Sequence, residues 1–246
     1  MRIPRFVVWM LSVGMTVLGA GVAFGQDYPS KPIRIITTQP GGGLDLAARL
    51  IAQGVSDSLG QPIVVESRGG GVVAIEIVAK ARPDGYTLLF YGGTLWIGPL
   101  LQTVSWDPVR DFSPITLAVT FPNLLVVHPS LPVKSVKELI ALAKARPGEL
   151  NYGSGSIGAS THLAGELFKA MAGVRIARIP YKAGASAMMA LVTGEVHLMF
   201  STVGLVTPHV KVGKLRALAI TTAKPSALAP GLPTVAASGV PGYESA

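Results

Sequence analysis

The chain has 246 residues, 49% of them hydrophobic and only 14% charged, with a net charge of 21 − 13 = +8. This composition excludes intrinsic disorder, and the length suffices for one large domain or two modest ones, each with its own core. Cysteine is absent, so a disulfide framework, a thiolate metal site and a cysteine nucleophile are excluded. Lys and Arg are scattered singly along the chain, a distribution that suits a small anionic ligand better than a nucleic-acid backbone.

Residues 1–25 read as a secretory signal peptide. Arg2 and Arg5 form a positive start, 6–24 carry no charge, and Ala23 and Gly25 supply the small residues of a cleavage site before Gln26. An N-terminal membrane anchor is the alternative, because the apolar stretch approaches a spanning length; Gly14, Gly19, Gly21 and Gly25 favour cleavage. Removal leaves 19 − 13 = +6. The rest of the chain has no other stretch long and apolar enough to span a bilayer.

From residue 31 onward short β-like runs alternate with helical patterns. Ile33–Thr37 reads as a strand, 40–43 (PGGG) as a turn, and Leu44, Ala47, Ala48, Ile51 and Val55 as one apolar helix face. Strands follow at 62–66 and 86–90, separated by a helix at 75–81 and a Pro-Asp-Gly turn at 83–85. Such alternation implies a parallel sheet flanked by helices. The pattern restarts with a strand at 123–128. Ser135 then caps a helix with Glu138 at capping-box spacing, ended by Pro147-Gly148. A strand at 150–152, a Gly/Ser-rich turn at 153–158 (GSGSIG), and a helix over 160–172 come next. Strands at 176–180, 196–200 and 215–221 complete the series, with a helix at 185–192. A strand, a glycine turn and a helix thus recur once in each half, which predicts two similar α/β lobes facing one another.

Glycine lets the backbone approach a ligand closely, and the helix behind each turn offers unpaired N–H groups at its positive end. Two such turns from opposed lobes form a pincer for a carboxylate or phosphate; a plain structural loop is the competing reading of each turn. The turn at 153–158 also fits the dinucleotide pattern G-x-G-x-x-G, but no acidic residue lies about 20 positions on, where 174–180 read VRIARIP. Arg178 there could serve a 2′-phosphate. Neither turn continues into the Gly-Lys-Ser/Thr of a phosphate-binding P-loop. His128, His162, His197 and His209 show no zinc spacing, and no G-x-S-x-G elbow occurs. No cofactor, metal or catalytic set is expected. Asp45, in the first turn after Gly43, fits charge compensation at a helix start or positioning of the loop.

A resemblance covers essentially all of 27–246. The stretches 28–34 (YPSKPIR), 40–49 (PGGGLDLAAR), 83–88 (PDGYTL), 107–112 (DPVRDF), 162–168 (HLAGELF), 180–182 (PYK), 213–219 (GKLRALA) and 239–244 (GVPGYE) stand in the order and spacing of Bug-type receptors of tripartite tricarboxylate transporters, which the chain resembles. The resemblance implies a two-lobe periplasmic binding protein, type II-like, each lobe a mainly parallel sheet flanked by helices. It further implies a monomer, with a small carboxylate ligand and a membrane permease as partners and no nucleic acid. Expected boundaries are 26–120 for lobe 1, 121–221 for lobe 2 and 222–246 for a crossover back toward lobe 1. The family continues beyond Glu244, so the C-terminal part of lobe 1 is expected to be missing, leaving apolar surface uncovered.

Carried over by the same resemblance, the ligand-binding set is Pro40, Gly41, Gly42, Gly43 and Asp45 from lobe 1, and Ser154, Gly155, Ser156, Gly158, Ala159, Ser160 and Thr161 from lobe 2. Tyr181 with Lys182, and Ser201 with Thr202, would lie near the cleft. This chain departs from many relatives in having Ser201 where they carry Asp and Gly204 where they carry Pro. An enzyme acting on an anionic substrate in the same cleft, or a truncated fragment that binds nothing, are the alternative functions.

Overall fold

The computed structural model describes residues 28–69 and 71–245; the signal peptide expected at 1–25 lies outside them. Two sheets organise the chain. In lobe 1, β1 (Ile33–Thr37) lies between β2 (Ile63–Ser67) and β3 (Thr87–Leu89), and all three run parallel. The connections carry α1 (Gly43–Leu59) and α2 (Val73–Ala79), and α3 (Thr94–Leu101) follows β3. β1 is the buried strand, with Ile33, Ile35 and Ile36 in the core. Beside it Ile75, Leu95 and Trp106 form a small cluster, in which the Trp106 indole donates to the Leu95 carbonyl at 3.2 Å.

Lobe 2 is built on β4 (Asn123–Val127), β5 (Asn151–Ser154), β6 (Ala177–Pro180), β7 (Leu198–Thr202) and β8 (Arg216–Ile220), in the order β6-β5-β7-β4-β8. β5 pairs parallel with β6 and β7, and β4 runs antiparallel to both of its neighbours. The sheet is therefore mainly parallel with one reversed strand, the first that the chain forms after crossing from lobe 1. Its helices are α4 (Val136–Ala145), α5 (Ser160–Ala172), α6 (Gly184–Val192) and α7 (Val203–Lys211). Alternation along β4 sends Leu125 and Val127 to one face, with Phe168, Phe200 and Tyr243, and Leu124 and Val126 to the other, with Leu191 and Met199. A sheet buried on both faces needs such continuous apolar runs.

Three expectations are corrected. The buried face of α1 is Asp45, Ala48 and Ala52, rotated from the expected stripe, and Val55 at its edge is exposed. Helices α3 and α7 were not expected at all. The 222–246 stretch stays on lobe 2 as far as Ser245: Val235, Val240 and Tyr243 are buried in its core, and the Tyr243 hydroxyl donates to Ala164 O at 2.8 Å. Burying a Tyr and two Val outweighs a direct route back toward lobe 1. Exposed apolar side chains occur on both lobes, among them Val64, Leu100 and Leu117 in lobe 1 and Met189, Val212 and Leu228 in lobe 2.

Candidate functional site

The loops at the carboxyl ends of β1, β2, β3, β5, β6 and β7 converge on a cavity of about 450 Å³ between the lobes. Ligands in open α/β sheets bind at this end of the strands. The lobes touch around it: a Cβ on Gly71 would sit 3.4 Å from Ser156, and one on Gly158 (φ +77°) 3.4 Å from Thr94. Glycine is favoured at Gly158 by its positive φ, and it stands in contact with the opposite lobe. A separate hollow of about 540 Å³ lies on lobe 2 between α7 and the 228–232 turn. Neither Gly-rich turn reaches it, so the cavity where both turns meet is the candidate site.

Five helices begin at this cavity. First-turn residues Gly43 and Leu44 of α1, Thr94 of α3, Ser160 and Thr161 of α5 and Gly184 of α6 line it, as does Thr202, which precedes α7. The cap positions are Gly42, Gly93, Ala159, Ala183 and Thr202, and among the described residues no side chain caps any of the five. Helix α4, away from the cavity, has the ordinary solution: Ser135 accepts from Glu138 N–H at 3.2 Å. An uncapped start leaves main-chain donors for another acceptor, and the helix dipole favours a negative one. The remaining wall mixes apolar and aromatic residues, among them Tyr91, Trp96, Val119 and Phe121, with the polar Thr38, Gln39, Thr120 and Ser156. Burial pushes the Tyr91 phenol up to about 12, and its hydroxyl donates to the Gly71 carbonyl. Arg68 is the one charged side chain on the lining among the described residues.

Of the residues expected at the site, Gly43, Gly155, Ser156, Ala159, Ser160 and Thr161 line the cavity. Pro40, Gly41 and Gly42 form the turn beside it. Asp45 is buried beneath that turn and accepts from Gly41 N–H at 3.1 Å, from Arg49 and from the Ser67 hydroxyl. Burial raises its carboxyl, but those three partners hold it below the usual carboxylate range. Asp45 therefore braces the first glycine turn.

Ser154 plays the equivalent part in lobe 2. It is fully buried, and Arg178 donates to its Oγ at 2.7 Å and to Gly155 O at 2.8 Å. That engagement occupies the guanidinium that the sequence offered to a 2′-phosphate. Gly158 N–H donates to His162 Nδ1 at 3.1 Å, and Gly155 N–H to Thr161 Oγ1 at 3.2 Å. Tyr181 turns to Glu195 at 2.8 Å and does not line the cavity. Ser201 is buried with its hydroxyl unpartnered, as are both side-chain polar atoms of Asn123. Asn123 and Thr221 exchange two hydrogen bonds of 2.9 Å where the chain crosses between lobes.

Sequence reasoning missed Arg68, Tyr91, Trp96 and Phe121. The signal that pointed to β3 was present: Gly92-Gly93 is a third strand–glycine–helix junction at the same sheet end.

Residues 47–246 match the model of the tripartite tricarboxylate transporter family receptor. The chain belongs to this family. The family is one of solute receptors, not enzymes. The receptor is 37% identical over 240 residues to the protein BugT of Bordetella pertussis, covering 94% of this chain and 74% of BugT. Among solved structures it is similar to R. palustris Rpa4515 with adipate, at 38% identity and a TM-score of 0.81, over 89% of this chain and 75% of that one. It is also similar to MatC (Rpa3494) from Rhodopseudomonas palustris with bound malate, at 28% identity and a TM-score of 0.79, over 88% and 76% of the two chains.

Proposed function

We propose that this receptor captures a small carboxylate between lobe 1 (26–120) and lobe 2 (121–221) and delivers it to the membrane permease of a tripartite tricarboxylate transporter. It does so as a monomer exported through its N-terminal signal peptide. The observation that carries the reading is the convergence of five helix starts, all without a side-chain cap, on one cavity. An anion there accepts main-chain hydrogen bonds of the charge-assisted kind, each worth roughly 1.5–3 kcal/mol. The Gly43 turn and the 155–161 segment supply the opposed donors, with Asp45 and Arg178 holding them from behind. The carboxylates bound by Rpa4515 and MatC support the same ligand class.

Exchange between open and closed forms is a hinge motion at the two crossings near Asn123 and Thr221. The volume of about 450 Å³ suits a small organic ligand.

A carboxylate placed at the cap itself separates binding from folding. Ala159 (φ −66°, ψ 152°) and Ala183 (φ −139°, ψ 149°) already have the extended geometry of a capping residue. Ala159→Asp and Ala183→Asp are therefore expected to hold or raise the ligand-free melting point, a cap being worth about 1 kcal/mol. Carboxylate affinity measured by calorimetry should fall by about tenfold or more. Full affinity in both variants removes the helix starts from the site.

A further inference from the structure

Arg68 lies just past β2, its backbone N–H donating to Thr37 O at 2.9 Å. Arg68 lines the cavity from lobe 1, and its side chain is 48% exposed. It pairs with Glu66 at 2.6 Å, and the same carboxylate takes Arg34 at 2.5 Å. Hydrogen bonding from Arg34 first, then the charges of Arg34 and Arg68, outweigh desolvation and keep Glu66 below the usual carboxylate range. Two guanidiniums on one ionised carboxylate leave a net +1 at the cavity rim. A guanidinium has five N–H donors in a planar fork, and the Glu66 pair uses one nitrogen, Nη2. Free donor capacity and uncompensated charge therefore belong to a residue that lines the cleft.

Lobe 2 offers nothing equivalent. Its Arg178 is spent on Ser154 and Gly155. Main-chain amides alone suffice for one carboxylate. A fixed cation on the other lobe adds a second and separate point of attachment.

We infer that Arg68 is a specificity-determining residue, which takes the second carboxylate of a dicarboxylate whose first is held by main-chain amides of lobe 2. The inference rests on the carboxylate-receptor reading above. Arg68 would then reward ligands that bridge the lobes and favour closure over them.

The test titrates the purified protein with straight-chain dicarboxylates from succinate to suberate, and with the monocarboxylate of the same length for each, such as adipate against hexanoate. The wild type is expected to prefer at least one dicarboxylate by about 10- to 100-fold, the worth of a charge-assisted hydrogen bond. Arg68→Met should abolish that preference, weakening the preferred dicarboxylate by about 10- to 100-fold and hexanoate far less, and reduce the salt dependence of dicarboxylate binding. Arg68→Lys should recover part of the preference. The inference is overturned if Arg68→Met weakens both ligand classes equally, if it weakens neither, or if the wild type prefers no dicarboxylate. Absence of any carboxylate binding by the wild type overturns the receptor reading itself, and this inference with it.

Discussion

Lobe 1 holds its half of the cleft on three strands; β2 is only partly buried along its length, and Val64 is 46% exposed. Lobe 2 holds the other half on five strands, with β4 buried at every residue and packed on both faces. Lobe 1 supplies the larger share of the cavity lining yet has the smaller apolar core behind it. Ligand-facing geometry and stability are therefore separate resources in this fold. Lobe 2 is the firm half, and local opening starts in lobe 1, where buried contacts are fewest.

The largest expected effect lies in the lobe 2 core. Phe200 packs 5.6 Å from Phe168 and 6.4 Å from Tyr243, ring centre to ring centre. Phe200→Ala should cost about 3–5 kcal/mol, whereas Val64→Ala on lobe 1 should stay within roughly 0.5 kcal/mol, as for other surface changes. Urea unfolding of both variants checks this, and hydrogen exchange should find the β4 and β7 amides protected longest. Equal losses would erase the distinction between the lobes.

Two glycines sharpen it. A Cβ on Gly165 of α5 would lie 2.5 Å from the Tyr152 ring, while one on Gly54 of α1 meets nothing within 4 Å. Gly165→Ala should therefore destabilise by about 1–3 kcal/mol through overpacking. Gly54→Ala should stabilise by about 0.5–1 kcal/mol, since a helix interior gains from losing a glycine. A thermal melt gives both signs, and a gain at Gly165 would mean that lobe 2 is looser than its burial implies.

The smallest effect is a pH dependence confined to lobe 2. Burial first, then the charge of Arg178, with Lys169 adding and Glu166 opposing, lowers the His162 pKa below the ordinary imidazole value. The unfolded chain, with a histidine near 6.5, then binds more protons as the pH drops. The stability from neutral His162 is complete above that value and is lost as pH falls through the lower folded one. Protonation also removes the acceptor for Gly158 N–H. His162→Gln should lose less stability between neutral and mildly acidic pH than the wild type; parallel losses would exclude the histidine.

How far the sequence discloses this arrangement depends on local signals. α5 was legible to the residue, and α4 announced itself through Ser135 and Glu138. α3 and α7 were not: Gly93 offers no capping side chain to mark the start of α3, and Pro99 and Pro208 stand inside the two helices and break their helical pattern. Both glycine turns were legible as turns that lead into helices, and both adjoin the cavity. Arg68 was not, since a lone arginine in a glycine-rich bend shows no periodicity, and only the fold brings it opposite α5. The reversed direction of β4 was also hidden, being set by where the chain crosses between lobes.

The uncapped helix starts have a bearing on how such a receptor changes over generations. Peptide amides are encoded by no particular codon, so a side-chain change that neither caps a helix start nor replaces a turn glycine leaves them available to an anion. Duplicated copies of the gene can then vary Trp96, Phe121 or Arg68, and with them the length and charge of the molecule admitted, without first losing the capacity to bind.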